Sequence, residues 1–161
     1  MSRPDYYLAQ INIARMKAPL TDPVMAEFAA RLDEINAVAE SSPGFIWRLM
    51  PDAENEQQLV AFEENGMLFN LSLWASVDAL RNFVYDSAHQ ALLRAREQWF
   101  DKTESAHLAL WWVPSNHLPG IDEAMLRLDR LELVGPGPNA FTFAQSFPPP
   151  ERRRPVSNEE E

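Results

Sequence analysis

The chain has 161 residues, enough for one domain with its own core, and its 46% hydrophobic content is that of an ordinary soluble globular protein. A formal net charge of −10 argues against nucleic acid as the main partner, and the absence of cysteine excludes disulfides, thiolate nucleophiles and cysteine metal sites. No apolar run reaches the roughly 18 to 20 residues of a membrane helix, and the opening MSRPDYYLAQINIAR has no apolar h-region, so the expectation is a cytoplasmic protein with no membrane partner.

Residues 6–14 form the first expected strand, with Ala9, Ile11 and Ile13 on one face and Leu8, Gln10 and Asn12 on the other. A loop ends in Asp22-Pro23, an N-cap followed by proline at the first helical position. The helix runs to about Glu40 on a stripe of Met25, Phe28, Ala29, Leu32, Ile35, Val38 and Ala39, and Ser41-Ser42-Pro43-Gly44 ends it. Residues 45–50 are a second strand carrying Trp47 and Arg48. Residues 51–66 read as a long acidic connection with a short extended piece at 59–62.

Met67 opens a strand of period two, in which Phe69, Leu71 and Leu73 point one way and Asn70, Ser72 and Trp74 the other. Ser76 stands as an N-cap, with Asp78 in the first turn of a long helical pattern toward Phe100. A kink or restart at Asp86-Ser87 fits a capping box there. Residues 108–113, LALWWV, read as a buried fourth strand stopped by Pro114, and residues 121–134 as a further helix broken by Gly135-Pro136-Gly137-Pro138. Phe141 and Phe143 mark a last packed segment. The division expected is a domain over 1–146 and a disordered, Pro- and charge-rich tail over 147–161.

The order is β-α-β-β-α-β with an added C-terminal helix: an α+β, ferredoxin-like split βαβ pattern with an antiparallel sheet. Its first and third strands are central, and its helices cover one face. The sets Ala9/Ile11/Ile13 and Phe69/Leu71/Leu73 suit the helix side, which leaves Gln10, Asn12, Asn70, Ser72 and Trp74 on a helix-free side. A bare face bearing Leu8 and Trp74 needs a cover, so a homodimer is expected, its polar members lining a cavity.

The segments AQINIARMKAPL, FNLSLW, YDSAHQALL and LWWVPSNHLP carry a resemblance. Over about residues 7–143 the chain resembles an uncharacterised bacterial family, the domain of unknown function DUF3291, in the dimeric α/β-barrel, antibiotic-biosynthesis-monooxygenase-like superfamily. The resemblance implies a ferredoxin-like protomer and a dimeric α/β barrel. Characterised relatives include cofactor-free oxygenases, haem enzymes and isomerases, and none of their catalytic residues carries over.

The site candidates come from the residues themselves. His89 is the first choice for acid/base chemistry, against a plain hydrogen-bonded histidine at a helix start. On a helical wheel Tyr85, His89 and Arg96 share a flank, and Arg96 suits a carboxylate as well as a surface salt bridge. His117 lies on the loop after strand four, where it can serve function or merely fix the loop. Asn12, Asn70 and Ser72 must be hydrogen-bonded if buried, by a ligand, by water or across a dimer interface. Of the five tryptophans, Trp74 is expected at the ligand rather than in the core. The histidine spacing gives no zinc site, and no nucleotide or serine-hydrolase motif is present.

The first reading is therefore a small-molecule-binding dimeric α/β barrel, monooxygenase- or isomerase-like, acting on an apolar or aromatic compound. The second is a haem-binding barrel using His89 or His117; no other cofactor is expected. The third is a non-catalytic interaction protein.

Overall fold

The computed structural model describes residues 5–19, 21–85 and 108–150, and of Asp33 the backbone alone. Strand β1, Tyr6–Arg15, leads through one 3-10 turn at Pro23–Met25 into α1, Ala26–Ser41. Asp22 caps that turn as its sequence suggests, its carboxylate accepting from the Val24 amide at 2.9 Å. The chain then makes β2, Phe45–Arg48; α2, Glu56–Glu64; β3, Met67–Trp74; α3, Val77–Val84; β4, Leu108–Pro114; and α4, Ile121–Val134. Ser76 caps α3 by accepting from the Ala79 amide at 3.0 Å.

Helix α2 replaces the extended piece expected at 59–62. Asp52 and Asn55 set it up. The Asp52 carboxylate accepts from the amides of Glu54 and Asn55 at 2.8 and 2.9 Å, and the Asn55 side chain accepts from the Asp52 amide at 2.9 Å. That closed turn precedes Glu56-Gln57-Gln58, residues of good helix propensity, which outweigh the β-preference of Val60 and Phe62. Phe62 and Phe69, with ring centroids 5.1 Å apart, fix α2 against β3.

The four strands are ordered β2-β3-β1-β4 and every neighbouring pair is antiparallel, the ferredoxin-like arrangement with β1 and β3 central. Gln10 faces Ser72, Asn12 faces Asn70 and Leu8 faces Trp74 across the β1–β3 pair, so these six residues share one face as their period of two requires.

That shared face is the one α1 and α3 cover, which overturns the helix-free side expected for it. Leu8, Trp74 and Leu110 are buried with Ala39 of α1 and Leu80 of α3, and Val77, Phe83 and Val84 pack beside them. The opposite face, with Ala9, Ile11, Leu71, Leu73, Trp111 and Val113, receives Ala124, Leu128 and Leu131 of α4. The C-terminal helix therefore makes both sheet faces apolar, and apolarity alone could not say which face the crossover helices take. Leu8 and Trp74 are 0% and 1% exposed within a single chain, so the bare-face reason for a dimer falls away. No helix among the described residues is long and apolar enough to cross a membrane.

Candidate functional site

The α1/α3 face carries two apolar clusters with a polar strip between them. At one end Leu8, Trp74 and Leu110 lie under α3. At the other, Met16, Met25 and Phe28 are buried, with Leu68, Leu32 and Ile35 packed against them. Gln10, Asn12, Asn70 and Ser72 occupy the sheet between these ends, because strand parity repeats them on adjacent central strands. Gln10 and Ser72 are buried, Asn12 is half-buried and Asn70 is exposed, so the strip grades from interior to surface.

Gln10 is the hub of the strip. Its Nε2 donates to Asn70 Oδ1 at 2.5 Å and to Ser72 Oγ at 2.9 Å. Trp74 Nε1 donates to the same Ser72 oxygen at 2.9 Å. The residue was visible by parity in the sequence, yet nothing in its type marked it above Asn12 or Asn70. Only the cross-strand register makes it the one side chain that reaches both Asn70 and Ser72.

Trp74 does not stand open to a ligand. Its ring stacks on Phe83 at 5.2 Å and meets Phe45 edge-on at 5.4 Å, so it is the core wall at the buried end of the strip. Aromatic contacts of this kind bury a large area and add pair energy, so the indole belongs to folding as much as to any site. A cation beside the strip is Arg48, the register partner of Ser72 on β2. Its Nε donates to Glu40 of α1 at 2.7 Å.

The other sequence candidates are not drawn together. Tyr85 follows α3 and is exposed. His89 and Arg96 lie outside the described residues, as does the suspected restart at Asp86-Ser87. His117 belongs to the opposite side of the sheet, where its Nε2 is 2.6 Å from Glu123 Oε1 on α4. Glu123 also accepts from the indole of buried Trp111 at 3.3 Å, and Arg127 lies over that ring. The His117 loop is thereby clamped to α4, on the sheet face opposite Gln10 and Ser72. Its engaged Nε2 gives no support to haem ligation by this histidine. Among the described residues no group of three or more His, Asp or Glu could hold a metal ion.

A family model described as a domain of unknown function, DUF3291, matches residues 7–157. The chain belongs to the DUF3291 family. No curated protein matches it in sequence. Among solved structures it is similar to SnoaB from Streptomyces nogalater, described as a cofactor-independent oxygenase, at 17% identity over 73% of this chain and 100% of that one, with a TM-score of 0.46. A protein of unknown function from Nitrosomonas europaea is similar at 13% identity over 71% and 96% of the two chains, with a TM-score of 0.44. A putative antibiotic biosynthesis monooxygenase from Chloroflexus aurantiacus J-10-fl is similar at 12% identity over 71% and 98%, with a TM-score of 0.41. For this DUF3291 chain these are likenesses of fold.

Proposed function

We propose that this DUF3291 chain binds a small, mostly apolar or aromatic molecule over the Gln10–Asn12–Asn70–Ser72 strip, as an oxygenase- or isomerase-like enzyme. The observation that carries the reading is the strip itself: four polar side chains set between two apolar clusters on a helix-covered sheet face. Small-molecule sites have this make-up, apolar walls with a few placed polar groups. Asn12 makes no side-chain hydrogen bond to a described residue, and among the described residues Asn70 is bonded at one end of its carboxamide only. Both therefore have capacity that a bound molecule can use. His89 remains the proposed acid/base group, and Tyr85 and Arg96 remain proposed ligand contacts.

The test is thermal unfolding of the wild type, Asn70→Leu and Asn12→Leu with a panel of neutral aromatic compounds, followed by oxygen-uptake assays on those that stabilise. A subset should raise the wild-type melting temperature and lose that effect in the variants, whose unliganded melting temperatures stay near wild type. Stabilisation that is absent throughout, or undiminished in both variants, removes the ligand site from this strip.

A homodimer is proposed on the other face instead of this one. Ile13, Trp47, Leu49 and Phe69 are only partly buried around the α4-covered core there, and supply apolar area for a second copy. Sedimentation velocity at micromolar concentration should give a dimer; a monomer ends that part of the proposal.

A further inference from the structure

Asn65-Gly66 is the one Asn-Gly pair in the sequence, and the fold places it at the exit of α2, where Asn65 is exposed and forms the C-cap. An asparagine followed by glycine can modify itself, because no Cβ shields the glycine nitrogen. That nitrogen gives up its proton to solvent base and attacks Asn65 Cγ. The new C–N bond closes a five-membered imide, and the Cγ–Nδ2 bond breaks to release ammonia. Water then opens the imide at Cγ to give aspartate, or at the main-chain carbonyl to give isoaspartate. One amide and one water are consumed, and one carboxyl group and one ammonia are formed.

In the folded chain each group this reaction needs is held elsewhere. The Gly66 amide donates to the Glu63 carbonyl at 3.0 Å, so the nucleophile keeps its proton. Asn65 Nδ2 donates to the Ala61 carbonyl at 2.8 Å, which anchors the side chain on the preceding turn of α2. Ring closure needs the Gly66 nitrogen eclipsed with Asn65 Cβ about the Cα–C bond; a ψ of 12° eclipses it with the Asn65 nitrogen instead. Turning that bond breaks the Gly66–Glu63 hydrogen bond and pulls against the Gly66 carbonyl, which accepts from the Met16 amide at 2.8 Å. We infer that Asn65 is a self-modification site that the cap of α2 keeps closed, and that it reacts only in molecules whose α2–β3 junction has opened. The change is one-way. Aspartate has no amide to give Ala61, and it adds a negative charge at the carboxyl end of a helix that already ends in Glu63-Glu64. Isoaspartate lengthens the main chain between α2 and β3 by a methylene. A junction that has reacted therefore closes less well, and the modified fraction records how often α2 has come away.

The test follows the Asn65 peptide by mass spectrometry at mildly alkaline pH, with aspartate and isoaspartate separated chromatographically. Folded wild type is expected to react at least about tenfold more slowly than the same chain in urea, the scale of a local opening equilibrium. Phe62→Ala removes the ring contact that fixes α2 against β3, and should speed the reaction several-fold without denaturant. Leu128→Ala, which weakens the core under α4 and leaves α2 untouched, should react at the wild-type rate. Asn65→Asp carries one product from the start. Its hydrogen exchange should be several-fold faster than wild type at the amides of Gly66 and Met16 and unchanged along the β1–β3 pairing. Folded wild type reacting as fast as the chain in urea, or no acceleration by Phe62→Ala, overturns the inference. Equal acceleration by Phe62→Ala and Leu128→Ala would trace the reaction to global unfolding and overturns it as well. Unchanged exchange at Gly66 and Met16 in Asn65→Asp overturns the one-way consequence.

Discussion

Gln10 Nε2 and Ser72 Oγ, on adjacent central strands, lie 2.9 Å apart in the interior of the sheet and form the only buried side-chain hydrogen bond joining β1 to β3 among the described residues. The pair is asymmetric. Ser72 also serves Trp74, whereas Gln10 serves Ser72 and Asn70.

Removing the serine oxygen therefore leaves the Trp74 indole N–H buried without its acceptor and takes one of two acceptors from Gln10. Ser72→Ala is expected to cost about 1–3 kcal/mol, the penalty for buried donors left unsatisfied. Urea unfolding measures it, and a loss near zero would mean that water replaces the hydroxyl.

Gln10→Leu removes a polar group together with its bonds, and Ser72 keeps the indole donor. Its stability is expected to stay within about 1 kcal/mol of wild type in the same urea experiment. The contrast between the two variants, rather than either value alone, checks the direction of the network.

Trp74→Ala empties a fully buried site between Phe45 and Phe83. The expected cost is about 3–5 kcal/mol, as for other core aromatics. A variant of near wild-type stability would return Trp74 to the exposed, ligand-facing role that strand parity alone suggested.

Gly44 joins α1 to β2 with φ at +87°, and a Cβ placed there would lie 2.5 Å from Ala79 Cβ on α3. Gly44→Ala thus meets both a left-handed backbone and a collision with α3, the helix over the Trp74 end of the strip. It is expected to cost about 1–3 kcal/mol. Thermal unfolding tests it, and Gly44→Ala combined with Ala79→Gly should recover the steric part but not the backbone part.

The boundary of the C-terminal tail can be tested by truncation. Phe141 exchanges backbone hydrogen bonds with Leu110 at 2.9 and 2.8 Å, Arg81 lies over the Phe143 ring, and the Trp112 indole donates to the Phe147 carbonyl at 2.9 Å. Deleting residues 148–161 should change the melting temperature little, and deleting residues 140–161 should lower it sharply. Equal losses would mean that the tail itself docks on the body.

Much of this was readable from residue order. Alternation along β1 and β3 places Gln10, Asn12, Asn70, Ser72 and Trp74 together, and Asp22 and Ser76 announce their helices through short polar side chains that cap amides. What alternation cannot state is which face a helix will choose, because Ala9 and Ile11 are as apolar as Leu8 and both sides end up covered. Nor does a period of two rank Gln10 above its neighbours; that needs the register with Ser72. The separation of His117 from the strip depends on Glu123, a contact between a loop and the next helix that no strand pattern encodes. Residues 51–66 were misread because the start of α2 lies in the reciprocal bonding of Asp52 and Asn55, while Val60 and Phe62 favour a strand.

The central place of β1 has a consequence for synthesis. It is made before either of its neighbours, and both come much later: β3 begins at Met67, and the pairing of Leu8 with Trp112 spans about a hundred residues. Until then Leu8, Ala9 and Ile11 sit on a strand with two open edges, the state most prone to pairing with another nascent chain. Translation speed between residues 15 and 108 therefore sets how long that hazard lasts, and slow codons in this interval should lower the soluble yield without altering the finished protein.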